Sequence, residues 1–467
     1  MPKELTHWYL AKKVADEILF PTEKQDSRLY PASSYQTPSY PTLSRCVQAA
    51  PHTFLLGAVG PDFLFYYLKG PDREAFREAA LVLHGRDGGN TLRPFVSVAE
   101  AYGGRFGLGV GAFLLGYLVH VVGDAVFHPL VLYSVGKGQG RPQYEHHVLE
   151  SALDLYVLKR WGNEEGALPL LQTPLPGSIA RSLPSLGATL SEPVTLKALT
   201  AGMTESDELS REEFLRLLGV VSFLGKSYPE KSLRTCLQRY EILQQWFWSP
   251  GACLVTRLLK ILRRNLAFLE ASCYQRRFYR YSEAFTGPLE YLHPVTGEAR
   301  EVTVEDLARE TVERFLAYAP QVEELFQKTV VREMKEDAGK NKNADTAAVP
   351  LSGTAGGSGM KAARFAMPVE ASHPEKAITP MNTPDSVNVP TSRTAGGSTP
   401  GKARQGDISY GEAVQDEILG GTVAQGFRSL QGPNLETGIV GDRADRILYT
   451  RAEGLEGLFG PFGYRYR

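Results

Sequence analysis

The chain has 467 residues, 43% of them apolar, which is enough for a large core and room for two or three average domains. Lys and Arg number 51 against 52 Asp and Glu, so a net charge of −1 excludes a global attraction to nucleic acid or to an anionic membrane. Four cysteines (Cys46, Cys236, Cys253 and Cys273) are too sparse and irregular for a disulfide framework and read as reduced core residues.

The start, MPKELTHWYLAKKVADEI, predicts an amphipathic helix carrying His7 and Trp8. It lacks the apolar h-region of a secretory signal, so a cytoplasmic protein is expected. Residues 21 to 53 are rich in Pro, Ser, Thr and Tyr and read as a long loop. In FLLGAVGPDFLFYYLKGP an apolar segment breaks at Gly60 and Pro61, where the backbone can aim Asp62 into a cleft walled by Phe63, Phe65, Tyr66 and Tyr67. Asp72 to Leu83 has a helical pattern with acids in its first turn, and His84 should project from its C-terminus. A further helix is expected near 94 to 102.

Residues 112 to 150 organise the rest. An otherwise apolar run carries His120, Asp124 and His128 four residues apart, and His146 and Glu150 repeat that step after a glycine-rich loop. On helices such spacing stacks the donors on one face, and polar groups buried among Leu, Val and Phe need partners. A metal ion is the partner that suits imidazole and carboxylate together. Residues 108 to 135 come nearest to a membrane span, but His120, Asp124 and His128 interrupt them and no transmembrane segment is read. Pro129 disfavours helical geometry before it, so the central helix is expected to end at His128. From Tyr144 to Trp161 helical spacing returns, with His146, Glu150 and Asp154 on one stripe.

Beyond a Pro- and Ser-rich connection at 163 to 195, helices are expected at about 211 to 224, 231 to 247, 252 to 280 and 304 to 336. Thr303 and Asp306 form a capping box for the last, and Pro320 should kink it. Strand-type alternation is nearly absent, which predicts an all-α bundle. The division expected is a metal-binding core over 1–162, a helical extension over 163–336, a disordered linker over 337–409 rich in Gly, Ala, Ser, Thr and Pro, and a tail over 410–467. The tail reads as fraying, with Ile418, Leu419, Phe427, Ile447 and Leu448 as the residues that could dock. His52 and His147, with His293 and His373, read as ordinary. The basic residues from Arg257 to Arg280 read as a solvated face.

The residues GAVGPD, a lone histidine about twenty positions on, HVVGD followed by His128 and Pro129, and HHVLE together resemble the zinc-dependent phospholipase C family, which is related to zinc nucleases. The resemblance covers roughly residues 5 to 160. It implies a helical bundle with two or three zinc ions: Asp62, His84, His120 and Asp124 on one, His128, His146 and Glu150 on a second, and His7 with a bridging Asp124 on a third. It implies hydrolysis of a phospholipid or small phosphodiester with Asp62 as general base. Phe63, Phe65 and Tyr66 would contact substrate, and Asp154 or Asp87 would take the second N–H of a ligand imidazole. Two departures stand out: no cleaved signal exposes an amine beside His7, and the Asp124-to-His128 interval is two residues shorter than in the secreted enzymes. A metal-stabilised interaction protein, or a zinc nuclease, remains the alternative reading, with nucleic acid disfavoured as a partner and the oligomeric state open.

Overall fold

A computed structural model describes residues 4–19, 39–137, 141–163, 209–262, 267–342, 423–442, 447–451 and 455–459. Residues 21–38 of the expected loop, 164–195 of the expected connection, 343–409 of the expected linker with His373, and 410–422 of the tail lie outside these. Helices α1 (Glu4–Leu19), α2 (Pro41–Ala49) and α3 (Pro51–Gly57) are followed by a 3₁₀ turn at Asp62–Tyr66, then α4 (Arg73–Leu83), α5 (Arg93–Ala101), α6 (Leu108–Val135) and α7 (Arg141–Asn163). Next come α8 (Arg211–Phe223), α9 (Glu230–Trp248), α10 (Pro250–Leu262), α11 (Ala267–Ser272) and α12 (Arg276–Tyr281). A hairpin of β1 (Leu289–Leu292) and β2 (Ala299–Val302) precedes α13 (Val304–Lys342), and α14 (Val423–Arg428) and α15 (Leu455–Leu458) close the described chain. The protein is all-α.

Helix α6 is the axis. It is apolar nearly all round, as a helix surrounded by others must be, and α1, α2, α3, α7 and α13 cover it. By length and composition it could cross a membrane, yet every residue of its most apolar 18-residue window is buried inside the protein. The closest packing is with α3. A Cβ on Gly57 would stand 2.1 Å from the Phe113 carbonyl oxygen, and one on Gly116 would stand 1.9 Å from that of Phe54. Only glycine lets the two backbones touch here, and the touch sets the height at which the chain leaves α3 for Asp62.

Several local expectations are corrected. Residues 41–57 are helical rather than looped: Pro41 and Pro51 both sit at first helical positions, where a missing N–H costs nothing. Helix α6 does not stop at His128 but carries Pro129 inside it and ends at Gly136. Burial of Leu130, Val131 and Leu132 on the far side holds the helix together through the lost hydrogen bond. The helix expected over 252–280 is broken into α10, α11 and α12, with Cys273, Tyr274 and Gln275 between the last two. The hairpin went unread because β2 is Ala-Arg-Glu-Val, whose alternation is weak. The capping box is present: Thr303 Oγ1 accepts from Asp306 N at 3.1 Å, and Asp306 accepts from Thr303 N at 2.9 Å. Pro320 lies within the continuous α13.

The tail is corrected as well. Residues 423–442 dock on the bundle instead of fraying. Phe427 is fully buried between Phe95 of α5 and Phe326 of α13, and Leu430 and Leu435 are buried after it. These anchors are few, and the backbone adds to them: the Leu430, Pro433 and Leu435 carbonyls accept from Asn90, Thr91 and His128.

The α3–α6 contact yields a prediction. Gly116→Ala should destabilise the fold by about 1–3 kcal/mol, since neither backbone can retreat. Gly287→Ala, with nothing within 4 Å of the new methyl, should stay within roughly 0.5 kcal/mol in the same denaturant titration.

Candidate metal centre

Four elements converge on the middle of α6. The four-residue step stacks His120, Asp124 and His128 on one face, all buried. From α1 comes His7, whose ring stacks on that of His120 at 4.2 Å between centroids. From the turn after Gly60 and Pro61 comes Asp62, the first residue of the 3₁₀ turn. From the C-terminal end of α4 comes His84, and from α7 come His146 and Glu150. The sequence-predicted ligand residues are therefore all brought together.

Three donor sets, each with its ligand atoms within 4.8 Å of one another, can hold a metal: His7, His120 and Asp124; Asp62, His84 and His120; and His128, His146 and Glu150. Asp124 lies between them. Its Oδ2 is 3.3 Å from His120 Nε2 and 3.8 Å from His84 Nε2, while its Oδ1 is 3.3 Å from His7 Nε2 and 4.0 Å from His128 Nε2. Asp62 turns Oδ1 to His84 at 3.2 Å and to His120 at 3.6 Å, and its Oδ2 is 3.9 Å from His7. In the third set His146 Nε2 is 2.7 Å from Glu150 Oε1.

The hydrogen bonds on the far side of the imidazoles decide what the near side can do. His84 Nδ1 donates to the Ala80 carbonyl at 2.6 Å, His120 Nδ1 to that of Ala58 at 3.0 Å, and His128 Nδ1 to that of Leu435 at 2.6 Å. Donation from Nδ1 fixes the tautomer and leaves the Nε2 lone pair pointing inward. There, His120 Nε2, His128 Nε2, both His7 nitrogens and both Asp124 oxygens are buried without a hydrogen bond. Each such group costs on the order of 1–3 kcal/mol. A cluster of orphaned nitrogen and oxygen donors at this density fits a metal ion of the zinc type.

Charge follows the same geometry. Burial works against ionisation of Asp124, but the neighbouring His128 and His120 outweigh it and hold the carboxyl well below the usual range. Asp62 is likewise held down, burial again being opposed chiefly by His120 and His84. Burial pushes His128 down to about 3 and lowers His146 strongly, so both imidazoles are neutral at pH 7 and ready to donate a lone pair.

Around the ligands the other site expectations divide. Phe65 faces the site, its ring 5.3 Å from that of His84, and Tyr66 lies half-buried against Tyr240. Phe63 is 2% exposed within the core and does not line a cleft. Asp87 is a surface group gripped by Arg93 at 2.8 Å and supports no ligand. Asp154 is buried but accepts from the amides of Leu5 and Thr6, at 3.2 and 2.9 Å, and from Tyr274 at 2.6 Å. It anchors the start of α1 and so places His7, instead of orienting an imidazole directly. Glu4 helps, accepting from Tyr240 at 3.0 Å. His52 is buried in α3, not in a loop. His147 Nδ1 is 3.6 Å from Glu150 Oε2 but belongs to none of the three sets. The groups that sequence reasoning missed are the carbonyls of Ala58, Ala80 and Leu435. A backbone acceptor leaves no side-chain signature.

Residues 6–186 match the model of the zinc dependent phospholipase C family. The likeness carried by GAVGPD, HVVGD and HHVLE is thereby borne out over the span that supplies every candidate ligand. No curated protein and no solved structure matches the chain. Helices α8 to α13 and the 423–442 segment fall outside the match.

Asp124→Asn should remove more metal from the purified protein than His147→Ala, since Asp124 lies within 4.0 Å of a histidine of every set and His147 belongs to none. Elemental analysis of both variants beside the parent, expected to carry at least two zinc ions, tests the assignment. Equal metal content in the two variants would sink it.

Proposed function

We propose that the protein is a zinc-dependent phosphodiester hydrolase of the phospholipase C type, acting on a phospholipid or a small phosphodiester. The observation that carries the reading is the inward-facing set of Nε2 atoms around Asp124. Asp62, His84, His120 and Asp124 would hold one zinc, His128, His146 and Glu150 a second, and His7 with Asp124 a third. Zinc, when bound, supplies Lewis-acid chemistry, polarising a phosphoryl oxygen and acidifying water.

The chain's own part is to position and to move a proton. Asp124, at 0% exposure, is sealed from substrate, whereas the Asp62 side chain is 11% exposed and so within reach of it. Its carboxyl is ionised at neutral pH, so Asp62 can accept a proton from attacking water, while His84 and His120 fix its orientation. Phe65 and Tyr66 form an apolar side of the approach. Tyr66 stays protonated, burial and then Glu4 pushing its phenol well above the ordinary value, so it can donate but not act as base.

Two features favour a lipidic diester over a nucleic acid. The stretches Phe54–Tyr67 and Ala112–Val122 contain no Lys or Arg, and a polynucleotide would need a basic track for its phosphates. Helix α9 packs on the 3₁₀ turn that carries Asp62, and beyond it α9 and α10 expose Ile242, Trp246, Leu254, Val255 and Leu258. Arg257, also exposed, stands among the last three. Arg257 thus accompanies apolar residues, which suits a lipid surface better than a purely solvated face.

A chromogenic choline phosphodiester or dispersed phospholipid should be cleaved with zinc dependence. His120→Ala should lower kcat/KM by at least about 10³, a loss on the order of 4 kcal/mol of transition-state stabilisation. Single-stranded DNA and RNA should remain intact. Faster zinc-dependent cleavage of nucleic acid than of any lipid diester would favour the nuclease reading. A zinc-loaded protein that turns over neither class would favour a metal-stabilised interaction protein.

A further inference from the structure

Helix α6 supplies His128, but the acceptor that orients His128 comes from 307 residues further along the chain. The Leu435 carbonyl is presented by a tight turn. Asn434 organises it, its side-chain oxygen accepting from the amides of Glu436 and Thr437 at 2.8 and 3.1 Å and its side-chain amide donating to the carbonyls of Gly85 and Asp442, both at 2.9 Å. Leu435 N donates to the His84 carbonyl at 3.2 Å, so one residue grips the main chain of one candidate ligand and the imidazole of another. His293 Nε2 donates to the Thr437 carbonyl at 3.1 Å, and Thr91 Oγ1 to that of Pro433 at 2.8 Å.

Pro129 makes room for this turn. Lacking an N–H, it leaves the Ala125 carbonyl without its helical donor. Gly438 packs against that carbonyl so closely that an added Cβ would stand 2.5 Å from the oxygen. Proline in the helix and glycine at positive φ in the turn are complementary features of one contact.

We infer that the Asn434–Gly438 turn is a positioning element for the His128, His146 and Glu150 metal site, so that loading of that site depends on the C-terminal segment outside the family match. The inference rests on the zinc assignment proposed above. Without the Leu435 carbonyl, the His128 ring has a buried Nδ1–H with no acceptor and is free to rotate or to change tautomer. Either change turns Nε2 away from the site. Loss of such an orienting partner lowers metal affinity roughly 10- to 100-fold.

The test uses the full chain. Asn434→Ala removes four hydrogen bonds of the turn while leaving every candidate ligand in place, and Lys137→Ala removes a surface ion pair to the Glu436 side chain while leaving all four of those bonds in place. Zinc retention is followed by elemental analysis during titration with a chelator. Asn434→Ala should surrender one class of zinc at about 10- to 100-fold lower chelator concentration, the class that His128→Ala lacks, while the remaining zinc and the Lys137→Ala profile match the parent. The double variant His128→Ala with Asn434→Ala should lose no more than His128→Ala alone. In ¹⁵N-histidine spectra of the parent, the His128 Nδ1–H should show a hydrogen-bonded signal that Asn434→Ala abolishes.

If Asn434→Ala does not fold, Asn434→Asp replaces it. That side chain still accepts from Glu436 and Thr437 but cannot donate to Gly85 and Asp442, and it should give a smaller loss from the same zinc class. Unchanged zinc retention in the folded variant, or equal loss from all sites, would overturn the inference. A parent chain that binds no zinc would overturn the metal assignment and this inference with it.

Discussion

The fold is governed by the cost of keeping imidazole and carboxylate groups in the middle of an apolar helix. His120, Asp124 and His128 sit on α6 where water does not reach, and each would be expensive there without partners. Their surroundings offset only part of that cost. The Ala58 and Leu435 carbonyls take the outer nitrogens of His120 and His128, and the Ala80 carbonyl takes that of His84. The inner nitrogens of His120 and His128, both nitrogens of His7 and both oxygens of Asp124 are left without hydrogen bonds, while that of His84 meets Asp62 at 3.2 Å. This one-sided satisfaction distinguishes a ligand set from a structural polar network, in which every atom would be paired.

That requirement explains packing features that would otherwise look incidental. Helices α3 and α6 touch at glycines because only that approach brings the Ala58 carbonyl within 3.0 Å of His120. Asp154, buried on α7, holds two amides at the start of α1, because the first turn of that helix must deliver His7 against the His120 ring. Helix α4 ends at His84, whose Nδ1 folds back on the carbonyl four residues earlier. In each case main-chain geometry does the aiming and the side chain contributes the donor atom.

The legibility of the sequence follows the same division. Donor atoms reside in side chains, so the four-residue spacing of His120, Asp124 and His128, and of His146 and Glu150, was readable and located the site. The helical class was readable because α6, α7 and α13 are long and strongly patterned. Acceptor carbonyls have no residue identity, so the partners assigned to the imidazoles, Asp87 and Asp154, were carboxylates where the structure uses backbone. Phe63 was placed with Phe65 and Tyr66 because a 3₁₀ turn, unlike an extended run, sends neighbouring aromatics in different directions, one into the core and others toward the site. Pro129 reads as a stop because proline's local cost is visible in the sequence, whereas the tertiary packing that overrides it is not. Residues 423–442 read as fraying for the converse reason: their sequence offers few apolar anchors, and part of their hold on the bundle comes through main-chain bonds to Asn90, Thr91, His84 and His128.

A family pattern drawn from ligand residues therefore captures where a metal can bind more completely than how firmly it is held. The span 6–186 contains every candidate ligand, yet the group that fixes the tautomer of His128 lies far beyond it. Two chains could share the motifs GAVGPD, HVVGD and HHVLE and still differ in metal affinity at one site if they differ in what meets the outer nitrogen of the histidine that precedes Pro129. Here that position is met by a turn with Asn434 at its start and Gly438 at its end, and the geometry needs both: the amide to hold four backbone groups, the glycine to lie against a carbonyl that proline has left open. The motif that predicts such a turn is thus not another ligand but the helix-breaking residue beside one, since a proline within a buried helix leaves a carbonyl that some other part of the chain must cover.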